Sequence, residues 1–435
     1  MRSSQSKMDC KAMDVRTNIC FESMCAGKMP AKKRIFHLLA FLFVSISLSA
    51  QSDVFEQEFL KSRNIEITEG NYVKLLKSGK EKFADLFESV RNAKSFIHLE
   101  YFNFRNDSIA RLLYHELALK VAEGVEVRAM YDAFGNSSNN QPVKHHMHDS
   151  ISALGIKLVK FDPITFPWVN HIFPRDHRKI VVIDGKIGYT GGMNVADYYI
   201  NGLEGIGPWR DMHMHIEGPA VEQLQRIFCR MWQESTGESL TGEKYFPEQE
   251  KRENSKVAVI DRHPGETNKA MRELYVSMLD NAHSKVLLVN PYFVPTKSVR
   301  DALKRCIDRG VDVEIMLSEK SDIPLTPDAS HYVGRKMQKR GAKVFMFRGG
   351  FHHSKIMMVD DKFCTVGSTN LDSRSLRCDY EVNTVIFDED VTAELSRMFE
   401  NDKKSCVPMN TDYWKQKTHW KRFVGWFGNL LTPVL

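Results

Sequence analysis

One 18-residue pattern occurs twice in this chain. HRKIVVIDGKIGYTGGMN (His177–Asn194) and HSKIMMVDDKFCTVGSTN (His353–Asn370) both read His-x-Lys, four apolar residues, Asp, six residues, then Gly-[Gly/Ser]-x-Asn. Each copy reads as a strand, a turn and a second strand. Alternation along an extended chain puts His and Lys on one face. The Asp falls at DG or DD, where a hairpin turn belongs, and holding that turn is the work expected of it. The glycine-rich end offers free backbone N–H groups, a small polar side chain and an Asn, which suits an anionic oxygen. One copy makes a phosphate clip. Two facing copies place two imidazoles and two ammonium groups around one anion.

The duplication extends beyond the motif. SFIHLEYFNF (Ser95–Phe104), EGVEVRAMYD (Glu123–Asp132) and LGIKLVKFDP (Leu154–Pro163) are answered by KVLLVNPYFVP (Lys285–Pro295), RGVDVEIMLSE (Arg309–Glu319) and RGAKVFMFRGG (Arg340–Gly350). Helical patterns lie between these β-rich runs. Gly124 to Gly310 and Gly155 to Gly341 are both 186 residues apart. A period that long makes this a duplicated α/β unit and not a solenoid. The polar stretch Ser235–Lys256 reads as the linker. The expected organisation is a leader over 1–50, a first lobe over 51–240, a second over 256–402, and a C-terminal helix over 411–435.

Two histidines with two lysines point to covalent phosphoryl transfer. One imidazole attacks phosphorus, and the other protonates the leaving alkoxide and then deprotonates the acceptor. Lys179 and Lys355 neutralise the non-bridging oxygens, so no metal and no cofactor is expected. Asn194, Asn370 and Ser368 are the candidate phosphate contacts. The two histidines need different protonation states, so each needs a partner on its second nitrogen. The candidates are Glu381 in the second half and Asp211 or His213 in the first. Tyr101 and Tyr292 hold equivalent repeat positions and are read as cleft-lining or strand-ending. Arg374 and Arg377 are read as head-group contacts or helix surface.

Other polar clusters are read as bland. KHHMHDS (Lys144–Ser150) matches no complete zinc set. HELALK at His115 lacks the second histidine of a zinc protease motif. Cys229, Cys306, Cys364, Cys378 and Cys406 match no metal spacing and read as buried free thiols.

Charge is concentrated at the ends. The chain carries +6, but residues 1–50 hold eight Lys/Arg against three Asp/Glu, and Lys403 onward holds six against one. The remaining body is slightly acidic, which argues against nucleic acid as a partner. Ile35–Ala50 is a 16-residue apolar run behind three basic residues, with Met29 just upstream. It reads as a signal peptide starting at Met29, or as an uncleaved anchor. Trp420, Phe423, Val424, Phe427, Leu430 and Leu431 share one helical face near Lys415, Lys417, Lys421 and Arg422. That pattern reads as an interfacial helix attracted to anionic lipid, or as a terminal helix docked on the protein.

The paired motifs resemble those of the phospholipase D superfamily. HLEYFNF, WRDMHMHIEGPAV, NPYFVPT and NLDSRSLRCDYEVN resemble its bacterial cardiolipin synthase branch, over about Phe83 to Glu400. The resemblance implies two similar α/β lobes, each a mixed β-sheet flanked by helices, about a pseudo-two-fold axis with the active site between them. It implies the joining of two phosphatidylglycerols into cardiolipin and glycerol. Hydrolysis to phosphatidate is the alternative, and a nuclease the more distant one. His177, Lys179, Asp184, His353, Lys355 and Asp360 carry over as catalytic-motif residues, with His177 as nucleophile by analogy. The implied partners are anionic phospholipid and a membrane surface, at the exported face of a bacterial cell membrane. Members of this branch commonly begin with two membrane-spanning helices, whereas this chain has one short apolar segment.

Overall fold

The computed structural model describes residue 55 and residues 59–166, 173–324 and 326–430. The expected leader over 1–50 lies outside the described residues, as does Leu431.

The apolar runs become strands. The first half contributes β1 (Ile67–Leu76), β2 (Phe96–Tyr101), β3 (Glu126–Asp132), β4 (Lys157–Phe161), β5 (Lys179–Ile183), β6 (Ile187–Gly191), β7 (Trp209–Arg210) and β8 (His213–Glu217). The second contributes β9 (Ser255–Arg262), β10 (Lys285–Val289), β11 (Asp312–Ser318), β12 (Lys343–Phe347), β13 (Phe351–His352), β14 (Ile356–Val359), β15 (Phe363–Gly367), β16 (Glu381–Phe387) and β17 (Cys406–Pro408).

Among the described residues, fifteen of these strands form one mixed sheet. β1 and β9 pair antiparallel at its middle. Outward from β1 run β8, β6, β5, β2, β3 and β4; outward from β9 run β16, β15, β14, β10, β11 and β12, with β17 added at the edge. The two halves therefore repeat one order about a half-turn. The central strands are buried on both faces, and so read as apolar runs instead of alternating ones.

Alternate residues of β5 show the layers. Ile180 and Val182 join Met214, Leu287, Ile356 and Val382 in one core shared by both lobes. Helices Ala220–Thr236 and Glu389–Lys403 cover that face. Val181 and Ile183 face the other way, into a core belonging to the first lobe. Met357 and Val359 do the same in the second. Each fully buried apolar side chain contributes about 1.5–3 kcal/mol. Parting the lobes would expose the shared layer, so the floor beneath any site between them is rigid.

Both motif hairpins close on left-handed residues: Asp184 and Gly185 (φ 53° and 66°) in one, Asp360 and Asp361 (φ 54° and 56°) in the other. Both turns need positive φ at two successive positions, which Asp and Gly tolerate best. Asp184 accepts from the N–H groups of Lys94, Ser95 and Phe96. Asp360 accepts from those of His283, Ser284 and Lys285 and from the Ser284 hydroxyl. Each Asp thus ties its turn to the start of the neighbouring strand. Asp184 and Asp360 hold their turns, as expected from the residues; the resemblance carried them over as catalytic-motif residues, but their carboxylates are spent on backbone donors at the far end of the strands. Among the described residues the five cysteines are free thiols; Cys229, Cys306 and Cys364 are buried, and Cys378 and Cys406 are half-buried.

Asp360→Ala strands three backbone donors. Urea denaturation should show a loss of about 2–4 kcal/mol, with kcat of the folded fraction close to wild type.

Candidate active site

The two histidines sit just before their strands, where the lobes exchange backbone hydrogen bonds. Tyr380 N–H donates to the Arg175 carbonyl (2.8 Å), and His177 N–H donates to the Tyr380 carbonyl (3.0 Å). The next residue, Glu381, places Oε1 3.0 Å from His177 Nδ1. In the other copy β13 pairs parallel with β7, and His353 N–H donates to the Arg210 carbonyl (2.6 Å). The next residue, Asp211, places Oδ2 2.7 Å from His353 Nδ1. The two carboxylates hold equivalent positions. Gly191, ending β6, pairs with His213, and Gly367, ending β15, pairs with Asn383. Each acid lies two residues before that partner. Each imidazole is therefore oriented by a carboxylate from the opposite lobe.

Arg178, between His177 and Lys179, points to the opposite face. It is buried against Glu100 of the first lobe (3.5 Å) and Asp261 of the second (2.5 Å).

The lysines lie beside their histidines. Lys179 Nζ donates to the His177 carbonyl and lies 5.4 Å from the centre of the Phe102 ring. Lys355 Nζ donates to the His353 carbonyl (2.6 Å) and lies 3.0 Å from Nε2. Burial pulls the ammonium pKa values down, to about 7 for Lys179 and about 8 for Lys355. Burial, then Lys179, Lys355 and Arg374, hold His177 well below the usual imidazole range. Burial and Lys355 lower His353 as well. Burial pushes Asp211 up, but Lys355 and His353 outweigh it and leave its carboxyl below the usual range. Burial raises Glu381.

Three predicted side chains take other positions. Ser368 donates its hydroxyl to Glu381 and accepts from Val382 N–H. It therefore braces the carboxylate instead of facing a phosphate. His213 hydrogen-bonds neither imidazole, and both its ring nitrogens are buried without a partner. It follows Asp211 by two residues but packs at the ladder position, and Asp211 alone reaches His353. Tyr101 is fully buried in the first-lobe core. Its neighbour Phe102 meets the His177 ring edge-on at 5.0 Å.

Other predicted residues do converge. Asn194 and Asn370 are buried, each with Oδ1 unpaired. Tyr292 packs on the His353 ring (5.9 Å) and donates its hydroxyl to Asp322 (2.5 Å). Arg374 bonds Asp379 (2.6 Å) and lies between the rings of Phe134 and Phe173. Arg377 is exposed. KHHMHDS opens the helix His145–Ala153 with His145 and His146 exposed and Met147 and His148 half-buried, and its closest ion pair is His145 to Asp149 at 3.3 Å. Among the described residues, no group of three or more His, Cys, Asp or Glu could hold a metal ion.

Sequence reading missed Phe102, Trp209 and Asp322. Trp209 meets the His353 ring at 5.3 Å, and its place two residues before Asp211 was the available signal.

A family model described as "Cardiolipin synthase, PLD-like domain" matches residues 86–232 and 275–403. Cardiolipin synthase 1 of Bacillus anthracis is 31% identical over 371 residues, which is 83% of this chain and 72% of the relative. Cardiolipin synthase 2 of Staphylococcus epidermidis is 34% identical over 372 residues, 85% and 75% respectively. The crystal structure of phosphatidylserine synthase from Haemophilus influenzae Rd KW20 has the same fold, with a TM-score of 0.66 at 14% identity. The match covers 88% of this chain and 99% of that one. A family model that matches both halves of the repeat, over more than half the chain, answers what the duplicated motif first posed: this chain belongs to the cardiolipin synthase family of phospholipase D-like proteins.

Proposed function

We propose that this site joins two phosphatidylglycerols into cardiolipin and glycerol through a phosphohistidine. Family membership makes phospholipid the substrate class. The observation that carries the mechanism is the matched pair of imidazoles. Each has a buried carboxylate on Nδ1 and a lysine two residues on, at the meeting of the lobes.

A carboxylate on Nδ1 leaves Nε2 for chemistry. His177 is the proposed nucleophile. Its depressed pKa keeps it neutral near pH 7, with the Nε2 lone pair available. Nε2 attacks phosphorus, and the bond to the leaving glycerol oxygen breaks. His353 is the proposed acid. The ionised Asp211 behind it favours its protonated form, and an arriving phosphate anion raises it further. It gives its proton to the leaving glycerol. It then takes the proton of the acceptor's hydroxyl, whose oxygen attacks phosphorus and frees His177. Lys179 and Lys355 hold the non-bridging oxygens, with Asn194 and Asn370 beside them. A half-turn of either amide would offer its Nδ2 to the phosphate.

The proposed place of action is the exported face of a bacterial cell membrane, on the strength of the apolar run Ile35–Ala50 behind Lys32, Lys33 and Arg34. Among the described residues, no helix is long and apolar enough to cross a membrane.

Protein given phosphatidylglycerol vesicles in EDTA should yield cardiolipin and glycerol, followed by mass. Phosphatidate alone would move the function to hydrolysis. His177→Ala should be inactive, and His353→Ala slower by about 10²–10⁴-fold. An active His177→Ala, or wild type silenced by EDTA, would sink the mechanism.

The lysines predict a pH profile. A cation with a lowered pKa holds its charge below that pKa and loses it above. kcat/KM, which reports the free enzyme, should fall as pH rises past about 7 to 8. A flat profile from pH 7 to 9 would contradict the phosphate-neutralising role.

A further inference from the structure

The substrate proposed above lies in a bilayer, and the site has to meet it there. Among the exposed large apolar side chains, two groups lie one contact away from a catalytic histidine's surroundings. On the His177 side, Ile164, Phe166 and Phe173 are exposed, Phe166 by 90%. Phe173 lies 5.0 Å from the Arg374 guanidinium, which acts on the His177 ring. On the His353 side, Asp322 accepts from Tyr292, which packs on His353. Ile323, the next residue, is exposed. It shares the wall of one recess with Lys417 and Lys421, at the start of the C-terminal helix His419–Leu430.

That helix is mounted with its apolar face outward. A helix docked only for stability would bury such a face. Here two glycines make the contact with the helix Thr326–Arg340. A Cβ on Gly425 would fall 2.4 Å from the Asp328 carbonyl oxygen, and one on Gly428 would fall 3.0 Å from Ala329 Cβ. Arg300 bonds Asn429 on the same side (3.1 Å). Close backbone approach fixes the rotation. It leaves Trp420, Phe423, Trp426, Phe427 and Leu430 facing solvent, with Trp420 70% exposed. An apolar patch of this kind marks an interaction surface. The chain from Lys403 onward carries six basic residues and one acidic, so the partner it fits is anionic. Indole and phenyl rings beside Lys suit the boundary between head groups and acyl chains.

We propose that these two groups, Ile164, Phe166 and Phe173 on one side and Ile323 with the outer face of the C-terminal helix on the other, form a docking surface for an anionic lipid bilayer, holding the mouth of the site against the lipid. The inference rests on the phospholipid reading above but concerns a different surface. Docking presses the cleft onto its substrate, so lipid reaches the histidines without crossing water.

Two measurements on the full chain test it. The first uses phosphatidylglycerol vesicles with brominated acyl chains, which quench tryptophan only at acyl depth. Wild type should be quenched, and Trp420→Phe with Trp426→Phe should remove at least half of that quenching. The second compares the rate on vesicles with the rate on monomeric dihexanoyl phosphatidylglycerol. Phe166→Ser, Phe423→Ser and Phe427→Ser together should lower that ratio about tenfold. Quenching indifferent to the tryptophan changes, or an unchanged ratio, overturns the proposal. Wild type that is quenched as expected but makes no cardiolipin would refute the function and uphold the surface.

Discussion

The site depends on an exchange across the lobe boundary. Tyr380 and Arg210 each accept a backbone hydrogen bond from the motif histidine of the other lobe, and the residue after each is the acid that orients that histidine. A buried carboxylate is costly unless it is paired. Glu381 and Asp211 are fully buried within their own lobes and find their imidazoles only across the interface. Neither lobe alone holds a complete histidine. The shared core beneath, which holds Ile180 and Met214 of one lobe with Ile356 and Val382 of the other, turns the exchange into fixed geometry. Arg178, held by Glu100 on one side and Asp261 on the other, adds a charged clamp within a few residues of His177.

The same burial sets the electrostatics. Two ammonium groups sit in one dry cleft with two imidazoles, and their lowered pKa values measure the strain of that arrangement. An anion between them would relieve it. In the proposed mechanism the two lysines would hold a phosphate chiefly through charge, in a dry site where such an interaction is strong. The buried, unpaired Oδ1 atoms of Asn194 and Asn370 fit the same view.

Much of this was legible because duplication doubles every signal. A single His-x-Lys on an apolar strand would be ambiguous; two in register were not. The two α/β lobes followed from the repeat, and Glu381 stood among the candidate orienting acids, but which histidine it serves was not legible: its pairing with His177 crosses the lobes. What escaped was set by the third dimension. Asp211 and His213 are both polar and two residues apart on an extended segment, so sequence alone did not choose between them. The choice is made by β7 pairing with β13, a contact across 142 residues. Asp184 and Asp360 recur beside His and Lys, and their place at a turn marked them as turn-holders; what the sequence did not show is which backbone they tie down. Their carboxylates are taken up by backbone donors of strands 75 to 90 residues away. Ser368 was read from its place in a glycine-rich turn, and nothing in that turn reveals the Glu381 carboxylate behind it.

A symmetric scaffold poses a problem for a reaction that needs one imidazole bare and the other protonated. The departures from symmetry lie where that problem would be solved. Asp211 behind His353 is held ionised, while Glu381 behind His177 is raised by burial. The residue four past each motif Asn is Tyr198 in the first copy and Arg374 in the second. Tyr198 is neutral and packs on Trp209 at 4.3 Å. Arg374 adds a cation to the surroundings of His177, and Asp322 adds an anion to those of His353. Arg374 adds to the burial that keeps His177 neutral, whereas Asp211 and Asp322 offset part of the burial that lowers His353. In the proposed mechanism that difference between two like phosphate clips is what would set the direction of proton flow.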